Sequence, residues 1–466
     1  MKARSFDAIV VGAGQAGPSL AVRLAQAGRT VAIVERHLVG GTCVNTGCMP
    51  TKTLVASARA AHVARQAADY GIRLAGPIEV DMRSVRDRAA QVSQKARNGN
   101  EGWLGATEGV TLIRGHATFE SSHTLRVGGE LLTAPLIFLN VGGRAVVPNL
   151  PGIRDISVMT NTDIVSLDSL PRHLAVVGGS YIGLEFAQMY RRFGSAVTVI
   201  ERGPRLISRE DEDISEAMRE MLEAEGIAIR TNAECIAFAP HPNGASIQVS
   251  GTSGAHEIVA SDILIAVGRQ PNTDDLGLVL AGVDMDERGY IKVGEDLQTN
   301  VPGVYALGDC NGRGAFTHTS YNDYEIVAAN VLDGETRRVS DRVPAYALYT
   351  DPPLGRVGMT EREARATGRP LLIAKRPMTR VGRAVEKGET TGFMKALADA
   401  ETKRLLGAAI FGVEGDEAIH SILLAMNADL PCTAIQRAVP VHPTVSELIP
   451  TLLGDLVPIE QFDGEH

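Results

Sequence analysis

Short apolar runs that stop at glycine recur along this chain, each followed by residues at helical spacing. Residues 6–11 are the first such run and predict a strand. The string GAGQAG fills 12–17, and 20–27 carry a helical pattern. Residues 30–34 predict a second strand, closed by Glu35. The order then returns: apolar 173–177, the string GGSYIG at 178–183, a helix to about Phe193, a strand over 196–200, and Glu201. The step from Gly12 to Glu35 equals the step from Gly178 to Glu201. Between the repeats, 53–69 predict a long Ala-rich helix. Residues 70–115 read as helical and polar, with Trp103 near a loop. Strand-like pieces at 115–119, 136–143 and 262–267 end in small residues, the last running into Gly268 and Arg269.

Strand, glycine loop, helix, strand and acid make a dinucleotide-binding unit. Gly12 permits the tight turn, Gly14 lets the backbone approach a pyrophosphate, and Gly17 lets helix and strand pack closely. The helix N-terminus favours phosphate charge, and Glu35 can accept from ribose hydroxyls. Two such units imply two dinucleotides. In the second, Gly178, Gly179 and Gly183 are joined by Ser180, Tyr181 and Ile182, and Ser180 stands where the middle glycine is expected. Glu201 points to a free 2′-hydroxyl and hence to NADH, although Arg202 and Arg205 could hold a 2′-phosphate and leave NADPH open.

At 466 residues the chain should hold two to four domains. Its 44% hydrophobic and 22% charged residues suit a globular protein. A net charge of -9 argues against nucleic acid, and 4% aromatic residues argue against a base-stacking groove. No apolar run could span a bilayer, and residues 1–7 show no secretion signal, so a cytoplasmic location is expected. Five cysteines do not make a secreted disulfide framework.

The string GGTCVNTGCMPTK at 40–52 places Cys43 and Cys48 where a loop runs into a helix. By spacing alone they read as a redox-active disulfide collecting electrons from a flavin, or as two unrelated buried thiols. A helix start at Cys48 and the charge of Lys52 would both lower a thiol pKa. Glu185 sits among apolar Leu184, Phe186 and Ala187 and wants a cationic partner, for which Lys52 is the candidate. Gly308 and Asp309 close a strand and can offer a carboxylate to a chain of hydroxyls. Cys235, Cys310 and Cys432 are isolated in sequence and read as structural.

With these residues together, the chain resembles the flavin-dependent pyridine-nucleotide–disulfide reductases: glutathione reductase, lipoamide dehydrogenase and mercuric reductase. The family string GGTCxNxGCxPxK is matched by Gly40 to Lys52, and HPTxSE is matched over 442–447. The resemblance implies an α/β fold of two Rossmann-like domains plus an α+β C-terminal dimerisation domain. The expected boundaries are 1–150 and 273–341 for FAD, 151–272 for NAD(P)H and 342–466 for dimerisation. It implies that Cys43 exchanges with substrate, that Cys48 lies against the flavin, and that Lys52 pairs with Glu185 beside it. It further implies that His442, oriented by Glu447, serves the partner subunit's thiol in an obligate homodimer. Cofactor contacts are expected from Gly12, Gly14, Gly17, Glu35, Gly41, Thr42, Lys52, Ala117, Gly143, Asp309, Gly178, Gly179, Ser180, Tyr181, Ile182, Gly183, Glu201, Gly268 and Arg269. The implied activity carries electrons from NAD(P)H through FAD to the cysteine pair and on to a disulfide or metal-ion substrate. Segments 316–324 and 353–360 look most like mercuric-reductase-like proteins, but Pro440 replaces the extra His of lipoamide dehydrogenases, and residues 460–466 hold no terminal Cys pair. Direct reduction of quinone or oxygen, and a metal-binding or redox-sensing module, are the alternatives.

Overall fold

The computed structural model describes residues 3–465 except 252 and 253, and leaves out the side chains of 234, 235, 464 and 465. Cys235 is therefore outside the described side chains. Two parallel sheets carry the repeated motif. The first orders its strands Val304–Ala306, Leu136–Leu139, Ala8–Val11, Val31–Glu35 and Val110–Arg114. Ala8 lies level with Val31 on one side and Leu136 on the other. Strands buried on both faces want continuous apolar runs, and Ala8–Val11 is buried throughout. The second sheet orders Ala228–Arg230, Ala196–Ile200, His173–Val177 and Asp262–Ile265. The short strands Gly143–Ala145 and Arg269–Pro271 pair antiparallel where the chain passes between the two units. A six-stranded antiparallel sheet from Ala345–Leu348 to Val457–Pro458 builds the C-terminal part.

The stretch 70–115 differs from its reading as helix. Gly71, at φ +75°, closes a short turn, and Gly76 and Pro77 keep 71–81 non-helical. Met82–Ala106 is helical, so Trp103 lies within a helix. Val110–Arg114 is a strand because its β-branched residues pair with Val31–Glu35.

The cysteine segment also differs from a plain loop. Cys43 lies in a short helix, Gly41–Asn45, and Cys48 opens a second, Cys48–Arg65. That helix is rich in alanine, the best helix former, and its Pro50 sits in the first turn where no N–H partner is lost. Leu54, Ala58 and Ala61 give it one buried face. Leu54 and Ala58 join Phe186, Tyr190 and Phe193 of helix Tyr181–Phe193, and Leu348 and Phe411 of the C-terminal sheet, in one core. The two glycine-loop units and the C-terminal sheet thus meet around the cysteine helix.

Candidate active site

The first glycine loop has no room for side chains. A Cβ on Gly12, which has φ +101°, would lie 2.3 Å from the Asn140 carbonyl, and one on Gly17 would lie 2.2 Å from Gly12 O. Asn140, buried, accepts from Gly17 N–H at 3.0 Å and donates to Leu307 O at 3.0 Å. Glu35 ends its strand with both oxygens engaged, accepting from Ala13 N–H at 2.8 Å and His37 N–H at 2.7 Å. The second loop repeats this fixture: Glu201 accepts from Gly179 N–H and Gly203 N–H, each at 2.6 Å. Gly183 packs on Gly178 as Gly17 does on Gly12. Ser180 is the exposed residue before the helix, and Tyr181 and Ile182 are half-buried in its first turn. Arg205 is held by Glu212 at 2.5 Å, while Arg202 is exposed.

The cysteine segment lies on the first loop. Gly40 N–H donates to Ala13 O at 2.7 Å, and a Cβ on Gly41 would stand 2.8 Å from Gly14 Cα. Thr42 is exposed beside it. Cys43 and Cys48 are free thiols, the dithiol counterpart of the expected disulfide. The Cys43 thiol donates to Cys48, which lowers the Cys48 pKa to about 6 against the opposing effect of burial; Thr317 and Lys52 assist. The same bond, with burial, raises Cys43. The first proton of the pair therefore leaves Cys48. Thr317 Oγ1 is 3.1 Å from Cys48 Sγ and opens helix Thr317–Leu332, so two helix N-termini meet at this sulfur.

Lys52 lies one turn beyond Cys48 and donates to Glu185 Oε2 at 2.6 Å, the pairing expected from sequence. Glu185 is 5% exposed and also accepts from Tyr349 N–H at 3.0 Å. Asp309 sits in the turn Gly308–Asn311, its carboxyl pKa raised by burial, with Arg269 Nε at 3.5 Å from Oδ2. Gly143 accepts from Arg269 through its carbonyl, and Gly268 has φ +137°. Ala117 is buried at the start of strand Ala117–Ser121. Tight glycine turns, acids fixed at the ends of the second strands and a half-buried carboxylate at Asp309 fit a flavin adenine dinucleotide. Cys310 donates to Leu139 O and Leu307 O at 3.4 Å, and burial pushes it up to about 12. Cys432 is buried and likewise raised.

His442 Nδ1 is 2.9 Å from Glu447 Oε2, and the imidazole is 78% exposed. Within one chain the structure does not bring it to the cysteines. Sequence reasoning missed Asn140, Thr317, Tyr349 and the pair Glu210–Arg356. Glu210 accepts from Arg356 Nη2 at 2.5 Å, from Tyr346 OH at 2.5 Å and from Tyr181 OH at 3.2 Å. Only the fold signals these contacts.

Comparison with known proteins agrees with this geometry. Residues 6–323 match the family described as pyridine nucleotide-disulphide oxidoreductase, and 344–453 match its dimerisation domain. The chain is 37% identical over 458 residues to the probable pyridine nucleotide-disulfide oxidoreductase RclA of Escherichia coli (strain K12), covering 96% of this chain and 99% of that one. It is 35% identical to a dihydrolipoyl dehydrogenase of Thermus scotoductus (95% and 96% covered) and 30% identical to a mercuric reductase of Bacillus cereus (95% and 70% covered). The solved structure of the HOCl-induced flavoprotein disulfide reductase RclA from Escherichia coli matches with TM-score 0.87 at 35% identity, covering 96% of this chain and 99% of that one. Its Cu(II) complex matches with TM-score 0.87 at 36% identity, with the same coverage. The chain belongs to the class I pyridine nucleotide–disulfide oxidoreductase family and is an enzyme with FAD and NAD(P)H as cofactors.

Proposed function

We propose that this enzyme passes electrons from NAD(P)H to the Cys43–Cys48 pair and from there to a disulfide or a metal ion. The observation that carries this reading is the placement of Cys43 and Cys48 as two free thiols at the start of the Lys52 helix, packed on the first glycine loop. Bound FAD supplies hydride acceptance and two-electron transfer between nicotinamide and sulfur. Gly12, Gly14, Gly17, Gly41, Thr42, Glu35, Ala117, Gly143 and Asp309 would hold it. Gly178 to Gly183, Glu201, Gly268 and Arg269 would hold the pyridine nucleotide. Lys52, fixed by Glu185, keeps a positive charge beside the Cys48 thiolate.

Cys43 is raised and holds its proton, so it needs a base before it can attack. The partner's His442, oriented by its Glu447, takes that proton in our reading. Cys43 sulfur then bonds to one substrate sulfur, the substrate S–S bond breaks, and the departing thiolate receives the proton back. Attack of the Cys48 thiolate on Cys43 releases the second substrate sulfur as a thiolate, which takes its proton from solvent, and leaves the disulfide, which two electrons from NAD(P)H reduce again. A histidine that is exposed and has Glu447, not a thiol, as its partner within the chain supports a homodimer with shared sites, as does the dimerisation-domain match. The five-stranded sheet drawing on both 8–139 and 304–306 supports the FAD domain as two segments, 1–150 and 273–341, around a nucleotide domain at 151–272. Dimerisation then falls to 342–466. Glu201, fixed by two backbone N–H groups, favours NADH. The relative solved as a Cu(II) complex keeps a metal ion beside disulfides as acceptor.

The test is Cys43→Ser. Disulfide turnover should vanish while NADH still bleaches the flavin; unchanged turnover refutes the thiol route. Loss of turnover with quinone as well would place the defect upstream of the thiols.

A further inference from the structure

The Lys52 ammonium acts on both thiols, and three groups hold it. Glu185 takes its proton side at 2.6 Å. The helix sets its stem one turn from Cys48. The third group is Tyr349, just beyond strand Ala345–Leu348 of the C-terminal sheet. Its ring centroid lies 4.7 Å from Lys52 Nζ, within cation–π range. Its backbone N–H donates to Glu185 Oε1 at 3.0 Å. One residue of the C-terminal domain thus touches both halves of the ion pair.

We propose that Tyr349 is a positioning residue for Lys52: its ring caps the ammonium and its N–H fixes the partner carboxylate, so that the C-terminal domain sets the charge beside Cys48. The Tyr349 ring also lies in the field of acidic groups. Asp416 and Glu417, in the first turn of helix Gly415–Asn427, join burial, Glu185 and Cys48 in raising the Tyr349 hydroxyl. Cys48 itself faces Cys43, Thr317 and Lys52, and only Lys52 carries a positive charge. Movement of that ammonium weakens the thiolate.

The side chain and backbone parts of the role separate by substitution. Tyr349→Leu removes the ring face and leaves the N–H to Glu185. Tyr349→Phe keeps both. The readout is the pH midpoint of iodoacetamide alkylation at Cys48 in NADH-reduced holoenzyme, followed by peptide mass. The leucine variant should move the midpoint up by about half a pH unit. The phenylalanine variant should stay with the parent. A leucine midpoint equal to the parent's overturns the proposal, as does a phenylalanine midpoint that shifts equally. Tyr349→Met fills the space without a ring and carries the same test if the leucine protein does not fold. The inference rests on Cys48 as the working thiolate. Failure of Cys43→Ser to stop turnover would sink the function while leaving this titration intact.

Discussion

Cys48 ionises first because Cys43 gives it a hydrogen bond, and that ordering is testable. A lowered thiol pKa means the thiolate is present above about pH 6 and lost as pH falls through it. Thiol-dependent turnover should therefore fall off below about pH 6. Cys43→Ala removes the largest lowering influence, so the alkylation midpoint of Cys48 should rise; a midpoint left near 6 would mean that Lys52 and the helix starts alone set it. Cys43 carries the opposite shift, and the chemistry divides accordingly: one sulfur stores charge, the other needs a base.

Among the elements, the first glycine loop depends on a residue 123 positions away from it, since Asn140 satisfies Gly17 N–H and Leu307 O while buried. Asn140→Leu leaves Gly17 N–H unpaired and Leu307 O with only the weak Cys310 thiol donor. We expect a loss of about 1–3 kcal/mol in urea unfolding, together with flavin released on gel filtration. Undiminished flavin retention would show that the loop holds its shape without that bridge. This contact marks where the sequence stopped being readable. The glycine loops, Glu35, Glu201 and the helix start at Cys48 were legible because each is set by neighbours within one strand–turn–helix unit. Lys52–Glu185 was legible from chemistry, a carboxylate among apolar residues in need of a cation. His442–Glu447 came from a short motif whose members lie five apart. Asn140, Thr317 and Tyr349 were not legible. Their partners lie far away in sequence, and only the packing of three sheets around one helix brings them together. The strand Val110–Arg114 was missed for a related reason: its partner strand, not its local pattern, makes it extended.

At the scale of the whole molecule, the second glycine-loop unit is bolted to the C-terminal sheet by buried charge. Arg356 is 1% exposed and sits between Glu210 and Asp211; Lys395, also 1% exposed, meets Asp211, Asp213 and Glu361. Arg356→Ala strands the buried Glu210 and should destabilise by about 3–5 kcal/mol in denaturant unfolding, whereas a surface pair such as Arg4–Glu130 should contribute less than about 1 kcal/mol. The proposal that the site is shared between subunits makes its own prediction. Cys43→Ser and His442→Ala homodimers should each be inactive toward disulfides. Mixed and allowed to exchange subunits, they should recover about a quarter of parental activity, since half the dimers are mixed and each holds one intact site. No recovery would place His442 in its own subunit's chemistry or outside it. The most direct test of the central claim is a thiol count after one equivalent of NADH is added anaerobically to oxidised enzyme. Electrons that reach sulfur must make both Cys43 and Cys48 alkylatable, with the label found on those two residues. A flavin that bleaches while neither cysteine takes up label would contradict the account.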